Sequence, residues 1–114
     1  MDNVDKTNRR AARAAAKEAK PDAGVFAFHG AAGGVWVGRS PTLASVENRL
    51  RFTLRQGGGF LPQALKDAWA AAAGEGFRYE VLERLDPEMP ALLVADALKA
   101  SAAIWRDRLG AAPI

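Results

Sequence analysis

The run Gly24-Val25-Phe26-Ala27-Phe28, followed after a glycine-rich interval by Val35-Trp36-Val37-Gly38, decides how this chain folds. β-Branched and aromatic residues dominate both runs, and Gly30-Ala31-Ala32-Gly33-Gly34 lies between them. Two short strand-like segments joined by residues free to take left-handed backbone angles predict an antiparallel hairpin, Val25 to Phe28 against Val35 to Gly38.

Downstream the period changes from two to between three and four. Leu43, Val46, Leu50 and Leu54 fall on one face of a helix that stops at Gly57-Gly58-Gly59, with Glu47 and Arg51 as an i, i+4 pair on its flank. Pro62 suits a helical first turn, and Leu61, Leu65, Ala68, Trp69 and Ala72 form the stripe of a second helix, stopped by Gly74-Glu75-Gly76. Phe77 to Leu85 reads as a third strand. Phe77, Tyr79 and Val81 alternate with Arg78 and Glu80, Leu82 breaks the rule, and simple alternation puts Glu80 and Glu83 on opposite faces. Asp86-Pro87 makes a turn, and a last helix from Pro90 to Leu109 carries Val94, Leu98, Trp105 and Leu109 before Gly110 ends it. Upstream, KTNRRAARAAAKEA from Lys6 to Ala19 consists almost wholly of helix formers, with Pro21 as its stop.

The expected fold is therefore α/β: a small three-stranded, largely antiparallel sheet flanked by helices, with an extra N-terminal helix. Residues 1–22 form a basic, Ala-rich helical arm and residues 23–114 the domain. A length of 114 residues allows a single core. The hydrophobic fraction is 49%, but 25 residues are Ala, so packing leans on Leu, Val, Phe and the three Trp.

Composition excludes several chemistries. With no Cys there are no disulfides, thiolate metal sites or Cys nucleophile, and the single histidine, His29, rules out sites that need two imidazoles. No Gly-Lys-Ser/Thr loop and no GxGxxG after a strand is present, so the glycines read as turns. His29 has no carboxylate near it in sequence and reads as a surface residue. No segment has the apolar length of a membrane span or a secretory h-region, which gives a cytoplasmic protein with no membrane partner as the expectation. The net charge is +3, and residues 23–60 hold Arg39, Arg49, Arg51 and Arg55 against Glu47 alone. Clustered arginine suits a polyanion, whereas a merely solvated helix face accounts for charge without a partner.

The tripeptides Gly24-Val25-Phe26 and Trp36-Val37-Gly38, the following helix with Arg49, the helix ending in Trp69, the strand Phe77 to Glu83 and the last helix with Trp105 together resemble the GIY-YIG nuclease family. The resemblance spans Gly24 to Leu109. It implies a phosphodiester-binding groove in which Phe26, Trp36 and Arg49 occupy catalytic positions. The departures are chemical: the motif tyrosines of the family fall on Phe26 and Trp36, which lack a hydroxyl, and its metal-binding glutamate falls on Ala102. Arg49 also stands further beyond Gly38 than the family's arginine does beyond its glycine, and Thr53 follows it one turn on. Glu83 and Asp96 are the carboxylates considered as substitutes.

The leading expectation is a nucleic-acid-binding protein, with DNA as the partner, that has little or no endonuclease activity. Arg39, Arg49, Arg51 and Arg55 would contact phosphates, and Arg9, Arg10, Arg13 and Lys17 of the arm would add sequence-independent attraction. On this reading there is no metal site and no cofactor. The alternatives are an active endonuclease with a rearranged site, using Mg²⁺ at Glu83 or Asp96, and a protein interaction module.

Overall fold

The computed structural model describes residues 22–114. Strand β1 (Gly24–His29) pairs antiparallel with β2 (Val35–Ser40), in the register Phe26 opposite Gly38 and Phe28 opposite Trp36. A 3₁₀ turn (Leu43–Ser45) leads into α1 (Val46–Arg55), then α2 (Gln63–Ala71), β3 (Arg78–Arg84) and α3 (Ala91–Leu109). β3 pairs antiparallel with the other edge of β1. The sheet has four strands rather than the expected three. A two-residue strand, β4 (Ala112–Pro113), lies parallel to β2, giving the order β3-β1-β2-β4. Gly110, at φ 60°, turns the chain out of α3 in the left-handed conformation that ends many helices, and the Ile114 N–H then donates to the Val37 carbonyl at 3.1 Å. Among the described residues no helix is long and apolar enough to cross a membrane.

Because side chains alternate along a strand, β1 builds two cores at once. Phe26 and Phe28 join Trp36, Leu43, Val46, Leu50, Leu54, Leu65 and Phe77 beneath α1 and α2. Val25 and Ala27 join Val37 and Ala102 beneath α3. In α3 the buried residues are Leu98, Ser101 and Ala102, while Leu109 is exposed, so the expected apolar stripe is displaced toward small residues. Small side chains let that helix lie close to the sheet.

Two glycines make the hairpin face possible. A Cβ on Gly38 would stand 2.6 Å from Phe26 Cζ and from Ile114 Cγ2, so the Phe26 ring lies across the neighbouring strand in space that only glycine leaves open. A Cβ on Gly24 would overlap the Glu83 carbonyl oxygen and stand 2.7 Å from Leu43 Cδ1. That position is closed by backbone.

The break at Leu82 is a β-bulge. Phe26 pairs with Val81 but Val25 with Glu83, so one extra residue on β3 faces the β1 step. The extra residue resets the alternation. Glu80, opposite Ala27, and Glu83, opposite Val25, therefore share the α3 face, contrary to the expectation that they diverge.

Tyr79, the only tyrosine, packs its ring 5.5 Å from that of Phe26 and donates its hydroxyl to the Leu43 carbonyl at 3.2 Å. Burial raises its pKa above 10.0, the charges of Asp22 and Glu47 raise it further, and Arg84 partly offsets them. Neutral phenol is thus favoured in the fold, and its contribution is fully present below the unfolded value and lost as pH rises through the higher folded one. A spectrophotometric titration is expected to give one phenol midpoint above 10.0, with stability falling between 10.0 and that midpoint. A midpoint at or below the free value would contradict the packing. Gly24→Ala is expected to destabilise the fold by about 1–3 kcal/mol or more, and Gly38→Ala by less, because side chains yield where backbone does not. Thermal unfolding ranks the two, each kcal/mol moving the midpoint by about 4–8 °C in a domain of this size.

Candidate functional site

An open cleft of about 260 Å³ runs between β2 and α1, lined by Phe26, Arg39, Ser40, Val46, Arg49, Leu50, Thr53, Leu61 and Ile114. Its apolar floor follows from the packing of α1 on β1: Val46 and Leu50 point into the sheet with Phe26, and Ile114 closes over Gly38. Its polar wall follows from helical spacing, since Arg49 and Thr53, four residues apart, stand one above the other on the edge of α1. Among the described residues the lining includes two arginines and no Asp or Glu side chain.

The sequence-predicted residues divide between this cleft and other places. Phe26, Arg39 and Arg49 reach it, together with Thr53. Arg39 also borders a second depression with Pro41, Asp96 and Lys99, because its register partner is Val25 and the α3 side is where that register sends it. Arg49 and Arg39 are exposed and make no ion pair among the described residues, and the same holds for Arg55 at the end of α1.

Arg51 is committed inward. Its Nε donates to Glu47 Oε2 at 3.1 Å, its Nη2 donates to the Phe77 carbonyl at 3.0 Å, and the guanidinium lies 5.4 Å from the centre of the Phe28 ring. It braces α1 against the start of β3. Trp36 is buried in the core near Gly30 and Gly34 and does not line the cleft; its Nε1 is buried without a hydrogen-bond partner among the described residues.

Glu83 stands on the α3 side of the sheet. Its Oε1 accepts hydrogen bonds from Ser101 Oγ at 2.9 Å and from Trp105 Nε1 at 2.8 Å, which ties β3 to α3. Asp96 lies on α3 beside Lys99. Ala102, at the position where the family resemblance places a glutamate, is fully buried against Val25, Ala27 and Val37. Among the described residues no three His, Asp or Glu side chains come together. Arg9, Arg10, Arg13 and Lys17 lie outside the described residues.

His29 has a partner after all. Its Nε2 is 2.8 Å from Glu80 Oε1, brought across from β3, and Arg78 Nη1 is 3.6 Å from the same oxygen. The pair sits at the glycine-loop end of β1, away from the cleft at the Gly24–Ser40 end. Sequence reading missed Ser40, Leu61 and Ile114 as cleft walls. Ser40 had a signal, since it alternates with Gly38 on the Phe26 face, but Leu61 and Ile114 arrive from a loop and from the short β4 extension.

No protein-family model matches the chain, and no curated protein matches it. Two solved structures share its architecture. One is the catalytic domain of intron endonuclease I-TevI in a mutant form, with TM-score 0.64 and 19% identity over 78% of this chain and 84% of that one. The other is the catalytic domain of homing endonuclease I-TevI, with TM-score 0.61 and 18% identity over 81% of this chain and 97% of that one. At that identity the likeness is one of fold, and the fold of this chain is GIY-YIG-like.

Proposed function

We propose that this protein binds nucleic acid, DNA foremost, through the cleft beside α1, and hydrolyses it little or not at all. The observation that carries the reading is the cleft lining: Arg39 and Arg49 with no Asp or Glu side chain among the described residues that form it, above an apolar floor. An unpaired guanidinium next to a hydroxyl group presents a planar donor set that suits phosphate oxygens, and the low-dielectric floor strengthens the attraction. The fold it shares with an endonuclease catalytic domain supports a phosphodiester as the ligand. Arg55 extends the positive surface along α1. Arg51, already bonded to Glu47 and Phe77, holds the helix in place and leaves phosphate contact to its neighbours.

Hydrolysis makes further demands that these side chains do not meet. A proton relay contributes about 10²–10⁴-fold to such reactions, and neither Phe26 nor Trp36 has a hydroxyl to provide one. Tyr79 has the one phenol, but it donates to the Leu43 carbonyl, and neither residue lines the cleft. The donor set also does not fit a divalent cation beside the arginines. Glu83 is engaged by Ser101 and Trp105 across the sheet, and Asp96 belongs to the second depression with Lys99. No step is therefore assigned to Mg²⁺.

A gel-shift series against salt tests the reading. The intact chain is expected to bind duplex DNA with affinity that falls as salt rises, and Arg49→Ala to weaken binding and flatten the salt slope by about one phosphate. Its melting temperature is expected to stay nearly unchanged, because Arg49 is exposed and outside every ion pair of the described residues. With Mg²⁺ added, plain duplex is expected to survive. Rapid metal-dependent cleavage that Glu83→Ala or Asp96→Ala abolishes would establish the active endonuclease instead, and failure to bind any polyanion at low salt would favour an interaction module.

A further inference from the structure

We propose that Phe60, with Phe52 as a second exposed ring, is a stacking surface for the bases of single-stranded nucleic acid, so that the cleft receives a strand whose bases are unpaired. The proposal rests on the polyanion reading above and names the form of nucleic acid it favours.

Phe60 is fully exposed, at 109% of its reference surface, and Phe52 is 59% exposed. In a chain short of bulky apolar residues, a benzyl group held entirely in water is an expensive use of one. The exposure is built into the backbone. Gly57, Gly58 and Gly59 take φ values of 103°, 89° and 49°, a run of left-handed conformations that glycine alone adopts freely. The loop is also tied on both sides: the Gly58 N–H donates to the Thr53 carbonyl at 2.8 Å, the Leu61 N–H to Gly58 at 2.9 Å, and Lys66 Nζ to the Gly59 carbonyl at 3.2 Å. Phe60 is thereby presented between Gly59, bound to α2, and Leu61, a wall of the cleft.

Charge identifies what that ring meets. Phe52 lies on α1 three residues from Arg49 on one side and three from Arg55 on the other, so an arginine stands one turn away in each direction. Neither arginine is paired among the described residues, whereas Glu47 is held by Arg51 and Asp67 by Gln63. An apolar protein surface would have to bury those two guanidinium groups without partners. A strand of nucleic acid satisfies both features, phosphates on arginine and base faces on phenyl rings. A continuous duplex satisfies only the first, because its base faces are already stacked, and phenylalanine has no donor or acceptor with which to read groove edges.

Fluorescence anisotropy with a labelled oligothymidylate and with a blunt duplex of the same length tests this on the full chain. Phe60→Ala is expected to weaken oligothymidylate binding by about 5- to 100-fold while leaving duplex affinity and its salt slope unchanged. Phe52→Ala should give a smaller loss in the same direction, and Phe60→Trp should retain binding. Since the Phe60 side chain is fully exposed, an unchanged melting temperature verifies that the variant is folded. If Phe60→Ala weakens neither probe, or both equally, while Arg49→Ala still weakens duplex binding, stacking is refuted and the polyanion reading stands. Absence of binding by the intact chain to both probes removes both. A dimer in sedimentation that Phe60→Ala splits, with oligothymidylate binding unaltered, assigns the ring to self-association and overturns the proposal.

Discussion

Strand β1 is buried on both faces and hydrogen-bonded along both edges, and that double burial sets the rest of the architecture. Val25, Ala27 and Phe28 have no exposed surface and Phe26 has 3%. Each large side chain withdrawn from water contributes about 1.5–3 kcal/mol, and the benefit is realised only if both sides of the strand are covered. The Phe face is deep and takes two helices, while the Val25–Ala27 face is shallow and takes one, with Ala102 against it. Gly38 and Gly24 follow from the same constraint. The Phe26 ring occupies the place of a side chain on β2, and the approach of β3 with Leu43 occupies that of one at residue 24.

Covering the Phe face with α1 also sorts the arginines. Leu50 and Leu54 must point inward, so Arg49 and Thr53 are carried to the edge that overlooks β2 and Arg51 to the opposite edge, over Phe28 and beside the Phe77 carbonyl. Two residues of identical type, two positions apart, thus do different work. Arg51 has its Nε and Nη2 bonded inside the protein and stiffens the helix–sheet contact; Arg49 makes no ion pair among the described residues. On the proposed reading, cleft affinity depends on this helix phase, because rotating α1 by a single residue would bury the wrong guanidinium.

Much of this was legible in sequence because local pattern and burial agree. The hairpin, the α1 stripe and the last helix follow from period two and period 3.6, and the GIY-YIG-like arrangement is what the resemblance of their order and motif glycines to that family implies. Leu82 was visible as a break in alternation, but the break alone did not say that an inserted residue would turn Glu83 to the α3 face. Long-range geometry was not legible. Glu80 meets His29 from 51 positions away, and β4 has only Ala112 and Pro113, too short for any period to register. Among the site residues, Arg49 and Thr53 were singled out by the resemblance to the family, whereas the burial of Trp36 away from the cleft depends on how its ring packs beside the glycine loop.

The fate of the two motif aromatics bears most directly on chemistry. Where the family resemblance implies hydroxyls around a reacting water, this chain places an apolar ring in the cleft floor and an indole in the core. Restoring oxygen at Phe26 would not by itself restore a relay. The Phe26 Cζ lies where Gly38 and Ile114 crowd it, so a hydroxyl there would enter an apolar contact, at a cost of about 1–3 kcal/mol if left without a partner. The packing around Phe26 suits a ring without oxygen: Ile114 closes over the glycine, and Tyr79 directs its own hydroxyl to the Leu43 carbonyl. On the proposed reading, such a cleft offers what holding a phosphate requires, an exposed guanidinium above a low-dielectric floor, and takes no hydroxyl for proton transfer from Phe26 or Trp36. On that reading, binding without hydrolysis is the combination that this packing favours.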